Sequence, residues 1–236
     1  MKTEAPEVVL LAGGKGTRLK SVTGSLPKVL VPVAGRTVLD WKLEQLATNG
    51  VRKVHILIGY QADLIEEHLH NQQLPLEIET HRDGPRLLGT GGAISAQVEH
   101  LPSKFVITYA DSLLDEPLAP FWRSFTAGRF PAMLVVTQQF DSEMSGNVAL
   151  ANDRVRRYAK DPTDSTLDWL DYGYLAIRRD VFSDFREAEP FDLGELISRL
   201  ASQGDLGAYL ASNPFWEVGT PSSLRVVEGH LTQRLS

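Results

Sequence analysis

Apolar and polar positions in the first half of the chain follow two alternating periods. Val8–Ala12 is an unbroken apolar run that stops at Gly13, the pattern of a strand buried on both faces of a parallel sheet. Thr37 and Asp40 have the spacing of a capping box. Leu39, Leu43 and Leu46 then recur at helical intervals until Asn49-Gly50 ends them. Val54–Ile58 predicts a second strand, Ala62–His70 a helix and Leu76–Thr80 a third strand. Gly92–His100 predicts another helix and Phe105–Tyr109 a fourth strand. Strands alternating with helices predict βαβ crossovers, so the expected fold class is α/β: a Rossmann-like, mainly parallel sheet flanked by helices.

Beyond about residue 140 the rhythm changes. Asn147–Leu150 and Val155–Lys160 flank Ala151-Asn152-Asp153-Arg154, which predicts a hairpin with a polar turn. Trp169–Ile177 predicts a strand in which Asp171, Gly173 and Ala176 interrupt the alternation. Helices are expected near Asp180–Arg186 and Gly194–Gln203, a short strand at Ala208–Ala211, and a last helix from Thr220-Pro221, where proline suits the first turn. With no linker, repeat or low-complexity tract, residues 1–236 are expected to form a single domain with a small substrate lobe.

Composition narrows the partners. The 24 Lys+Arg against 30 Asp+Glu leave a net charge of −6, and no basic run exceeds the pairs Arg156-Arg157 and Arg178-Arg179. Binding a nucleic acid needs clustered cations, so no nucleic-acid partner is expected. No apolar run approaches the roughly 20 residues that cross a bilayer, so no membrane partner is expected either. The absence of cysteine excludes disulfides and thiolate metal sites and fits a cytoplasmic location. The six histidines are scattered, and His68 and His70 point to different helix faces.

The densest chemistry lies in Leu11-Ala12-Gly13-Gly14-Lys15-Gly16-Thr17-Arg18-Leu19, followed by Pro27-Lys28. Glycines at the C-terminal end of a strand let backbone N–H groups approach a phosphate, and this edge of an open α/β sheet is where ligands bind. Neither familiar phosphate loop fits. Lys15 is followed by Gly16 rather than Ser or Thr, and Leu19 stands where the dinucleotide fingerprint needs glycine. A second cluster, Leu88-Gly89-Thr90-Gly91-Gly92-Ala93, precedes a helix; it suits either a ligand contact or close packing of helix on sheet. Asp111 follows the apolar run Phe105–Tyr109 and suits either a hard cation, to which it would offer oxygen, or the cap of the next loop.

These strings together, with Val33-Ala34-Gly35-Arg36 between them, resemble the sugar-1-phosphate nucleotidyltransferase family over most of the chain. The Gly-Thr-Gly-Gly-Ala wording is most similar to heptose-1-phosphate guanylyltransferases. The resemblance implies a glycosyltransferase-A-like nucleotidyltransferase fold, its nucleotide-binding half at about residues 1–140 and its sugar-phosphate half at about 141–236. It implies that Leu11, Ala12, Gly13, Gly14, Gly16 and Thr17 hold the nucleotide, with Gly89 and Thr90 beside the base. Arg18 and Lys28 would contact the reacting phosphates, and Asp111 would ligate Mg²⁺. A second metal ligand is usually an Asp before Gly-Thr-Pro; here Glu217 takes that place. Lys160 would bind the sugar phosphate, although Ala159 stands where the family often has Glu. Asn147, Asp171 and Gly173 would face the sugar, with Glu195 and Asp192 as further candidates. The implied partners are an NTP, GTP favoured, and a heptose or hexose 1-phosphate. A cytidylyl- or uridylyltransferase using another phosphorylated acceptor remains an alternative, as does an inactive nucleotide-binding regulatory paralogue.

Overall fold

The computed structural model describes residues 5–14, 16, 19, 24, 26–84, 86–139, 145–159, 167–185 and 189–235. In chain order these form β1 (Val8–Leu11), β2 (Pro32–Val33), β3 (Arg36–Thr37), α1 (Val38–Thr48), β4 (Lys53–Ile58), α2 (Ala62–His70) and β5 (Glu77–Arg82). Next come α3 (Gly89–Gln97), β6 (Lys104–Tyr109), β7 (Ser112–Leu114), α4 (Leu118–Ala127), β8 (Ala132–Thr137), β9 (Val148–Ala151) and β10 (Arg154–Tyr158). The chain closes with β11 (Leu170–Arg178), α5 (Leu193–Gln203), β12 (Leu206–Leu210), β13 (Phe215–Glu217) and α6 (Pro221–Leu235).

One sheet runs through both halves in the order β5-β4-β1-β6-β11-β8-β12-β10-β9. Its first four strands are parallel. β11 then runs antiparallel to both β6 and β8, so the sheet is mixed, and the purely parallel arrangement belongs to the first half.

All four β1 residues are buried, because the strand has a helix layer on each side. Val8 and Leu10 pack with Leu43 of α1, Ile65 of α2 and Phe121 of α4. Val9 and Leu11 pack with Ile94 of α3 and Leu196 of α5 on the opposite face. A third core joins Leu19 and Trp41 to Leu113, Val218, Val227 and Leu231. It docks α6 against Leu19 and α1.

Local signals explain most boundaries. The Thr37–Asp40 capping box is fully formed. A second box, Asp192 with Glu195, opens α5, and Gly204 at φ 80° closes it. Asp192 and Glu195, further candidates for the sugar side, have this capping task. Residues 179–182 form only a 3-10 turn where a helix was expected. α3 begins at Gly89, three residues earlier than the pattern predicts. α4 and β8, like the short strands β2, β3 and β7, have no counterpart in the sequence pattern before residue 140.

Candidate active site

The parallel strands end on one edge of the sheet, and the turns leaving them line a cleft of about 240 Å³. After β1 the chain enters Ala12, Gly13 and Gly14. Ala12 N–H donates to Leu57 O at 2.9 Å and Tyr60 N–H to Gly13 O at 3.2 Å, lacing this turn to the end of β4. A Cβ on Gly13 would lie 3.2 Å from Gly59 N, so the two backbones approach more closely than a side chain there normally allows. Gly16, at φ +58°, presses on Lys28: a Cβ there would sit 2.8 Å from the lysine Cβ. Glycine at 16 thus leaves room for the stem of Lys28, which opens a 3-10 turn.

Lys28 Nζ lies 2.5 Å from Asp111 Oδ2, with the two side chains 12% and 25% exposed. The backbone at Ala110 and Asp111 is held from both sides. Ala110 N–H donates to Leu11 O at 3.1 Å, and Val218 N–H donates to Asp111 O at 2.9 Å. The same β7–β13 pairing sets Glu217 opposite Ser112, so the second sequence candidate stands beside Asp111 across 106 residues of chain. Both carboxylates act electrostatically on Tyr109, whose hydroxyl burial pushes well above the ordinary phenol range. Asp111 and Glu217 offer only carboxylate oxygens, the donor type a hard cation such as Mg²⁺ requires. The residues present therefore fit that ion.

The structure brings Leu11, Ala12, Gly13, Gly14, Lys28, Gly89, Thr90 and Asp111 into this one cleft. The Gly89–Gly92 cluster also serves packing. Gly91 and Gly92 N–H groups both donate to Phe191 O, and a Cβ on Gly92 would lie 2.5 Å from Glu189 O. The Thr90 hydroxyl accepts from Leu193 N–H at 2.8 Å. Asn147 and Gly173 serve a different centre. The Asn147 side-chain oxygen accepts from Asp171 N–H, and Gly173 N–H donates to Asp171 Oδ1, each at 2.8 Å. The positive φ of Gly173, +93°, lies where the β11 register shifts. Asp171 is thus surrounded by the sugar-facing candidates, and Tyr109 lines both its small cavity and the main cleft. Thr17, Arg18 and Lys160 lie outside the described residues.

Two side chains in the site have no counterpart in the motif reading. Lys42 of α1 is fully buried; its Nζ donates to Thr108 Oγ1 at 3.1 Å and to Ser112 O at 2.8 Å, behind Asp111. Desolvation pushes its pKa down to about 7, and the nearby Asp111 charge opposes that shift. The sequence signal is a lysine between Trp41 and Leu43, on a helix whose neighbouring positions are apolar. Asp83, just past β5, lines the cleft beside Leu57 and Leu87. Burial pushes its carboxyl upward against a hydrogen bond from the Leu88 backbone.

The family described as Nucleotidyl transferase has a sequence model that matches residues 7–234. D-glycero-alpha-D-manno-heptose 1-phosphate guanylyltransferase of Campylobacter jejuni is 23% identical over 215 residues, 91% of this chain and 95% of that protein. N-acetylmuramate alpha-1-phosphate uridylyltransferase of Caulobacter vibrioides is 26% identical over 98% of this chain and 99% of its own length. The solved inositol-1-phosphate CTP transferase of T. maritima superposes with a TM-score of 0.82 at 22% identity, over 99% of this chain and 97% of that one.

Proposed function

Because the chain belongs to the nucleotidyl transferase family, we propose that it transfers a nucleoside monophosphate from an NTP to a sugar 1-phosphate, forming an NDP-sugar and pyrophosphate. The observation that carries this reading is the convergence of the Gly13-Gly14 turn, Lys28 and Asp111 in one cleft, with Glu217 registered beside them. A phosphate monoester is largely dianionic at pH 7, its second pKa being about 6. One of its oxygens attacks the α-phosphorus in line; the new P–O bond forms as the bond to pyrophosphate breaks, and no general base is required. Catalysis then reduces to alignment and charge neutralisation.

Lys28 supplies a fixed cation to the phosphates, and Arg18 a second. The glycine turn presents backbone N–H groups, and Lys160 holds the acceptor phosphate. Asp111 and Glu217 would hold Mg²⁺, which when bound neutralises phosphate charge. The Lys28 ammonium, paired with Asp111, stands where it can turn to a phosphate oxygen. In this reading residues 1–140 handle the nucleotide and 141–236 the sugar phosphate, within one cytoplasmic enzyme. No helix among the described residues is long and apolar enough to cross a membrane.

GTP is the proposed nucleotide, and Asp83 is the reason. Guanine presents two adjacent donors, N1–H and the N2 amino group, and an ionised carboxylate is an acceptor with two oxygens. Uracil presents a single N–H on the corresponding edge. The C. jejuni relative is by its name a guanylyltransferase. The test is pyrophosphate release in Mg²⁺ with each of four NTPs against heptose and hexose 1-phosphates. We expect GTP to be preferred, and Asp83→Asn to reduce the GTP-over-UTP ratio by on the order of tenfold, the worth of one charged hydrogen bond. Asp111→Asn should cut turnover by on the order of a hundredfold or more with the circular dichroism spectrum unchanged. Nucleotide binding without release from any pair would replace the transferase reading with a regulatory one.

A further inference from the structure

On the α3 side of the sheet, at its edge, a nitrogen-rich cluster lies outside the cleft. His55 of β4 pairs with Glu79 of β5, and Leu57 with His81, so His55, Glu79 and His81 all project from one face. The His55 side chain is fully buried and that of His81 is 8% exposed, while that of Glu79 is 44% exposed and opens the group to solvent. His55 Nδ1 lies 3.1 Å from His81 Nε2 and 3.6 Å from Glu79 Oε2; His81 Nε2 lies 3.8 Å from Glu79 Oε1. Around a tetrahedral ion with bonds of about 2.0–2.1 Å, neighbouring donor atoms are separated by about 3.3–3.4 Å. The two nitrogens are close to that spacing already, each has a Glu79 oxygen within 3.8 Å, and one ligand atom from each of the three residues lies within 4.8 Å of the other two.

We propose that His55 Nδ1, His81 Nε2 and one oxygen of Glu79 form a site for a borderline divalent cation of the Zn²⁺ type, with a fourth position open to solvent. Two imidazoles and a carboxylate suit such an ion, whereas Mg²⁺ prefers oxygen alone. The surroundings match as well. Glu7 Oε2 sits 2.9 Å from His55 Nε2; accepting that N–H leaves the lone pair on Nδ1, the carboxylate–histidine support common at metal sites. Gln97 hydrogen-bonds the His81 ring, and burial holds that imidazole below its ordinary range, favouring the neutral ligand form. Lys53 Nζ, 3.1 Å from Glu79 Oε2 and equally close to Glu77, offsets the local negative charge and leaves Glu79 Oε1 toward His81. His100 stacks beyond His81.

Among the described residues β5 is the sheet's outer strand, paired only with β4, so the ion would bridge these two strands two residues before Asp83. It would brace the wall of the cleft without entering it, and the assignment does not depend on which reaction the cleft performs.

The test is calorimetric titration of Zn²⁺ into chelator-stripped, full-length protein held in Mg²⁺, with Co²⁺ as a spectroscopic probe. We expect one Zn²⁺ per chain, tetrahedral Co²⁺ bands in the visible, and a higher melting temperature on loading. Glu7→Gln should weaken binding by about ten- to a hundredfold, the half-exposed Glu79→Gln by at least as much, and His81→Gln should remove the Co²⁺ bands. Failure of the stripped wild type to bind Zn²⁺ would overturn the site. So would unchanged affinity in Glu79→Gln, a surface change that leaves the fold in place even should His81→Gln fail to fold.

Discussion

Desolvation pushes the Asp171 carboxyl up to about 6 from 3.8, outweighing hydrogen bonds from Gly173 N–H and the Tyr158 hydroxyl that favour its charged form. A carboxyl whose folded pKa is raised binds protons more tightly in the native state. Its contribution to stability is full below about 3.8 and is lost as pH rises through about 6. Asp171→Asn removes that dependence. We therefore expect the variant to gain on the wild type by roughly 3 kcal/mol between pH 3.8 and pH 7, since each pH unit separating the two pKa values is worth about 1.4 kcal/mol. Denaturant midpoints measured across that range read the difference. Asp171 could be singled out in the sequence because it interrupts an alternating strand. Its burial could not, since that follows from Tyr158 and Leu193 closing over the β11 bulge. Lys42 was less legible still. A single lysine in a helical pattern reads as solvated, and only the packing of α1 on the sheet sends its ammonium to Thr108 and Ser112.

At the scale of elements, α3 shows how packing overrides propensity. Glycine inside a helix is normally unfavourable, and Gly→Ala gains up to about 1 kcal/mol. At Gly92 the added methyl would meet the Glu189 carbonyl at 2.5 Å, and relieving such a clash costs about 1–3 kcal/mol. Gly92→Ala should thus lower the melting temperature, whereas Gly229→Ala on α6, with nothing within 4 Å, should not. Scanning calorimetry of the two variants checks both signs. The sequence placed this helix three residues late because its start is set by Phe191, about a hundred residues away, whose carbonyl accepts from Gly91 and Gly92. The capping box of α1 and the strand β1 were legible for the opposite reason: each depends on residues adjacent in the chain.

Over the whole molecule, the mixed second half returns the chain so that β13 pairs with β7 and α6 covers the third core. Leu231 is 3% exposed and belongs to the same core as Leu19, which follows the glycine loop. Leu231→Ala should destabilise the protein by about 2–5 kcal/mol. It should also raise KM for the NTP, because a C-terminal helix supports a loop near the N-terminus. Urea unfolding with steady-state kinetics measures the two effects together.

By itself the sequence determined the α/β alternation, the glycine-rich turn after the first strand, and the carboxylate Asp111 at the end of β6. These rest on short-range physics: a buried strand is a local apolar run, a tight turn needs local glycines, and a strand end exposes the next residue. Tertiary structure decided the rest. It set Glu217 against Ser112, put Lys28 on Asp111, buried Lys42 behind both, and aligned His55 with Glu79 and His81. Strand register depends on which apolar faces close over a shared core, and closing that core brings together residues that the chain keeps far apart.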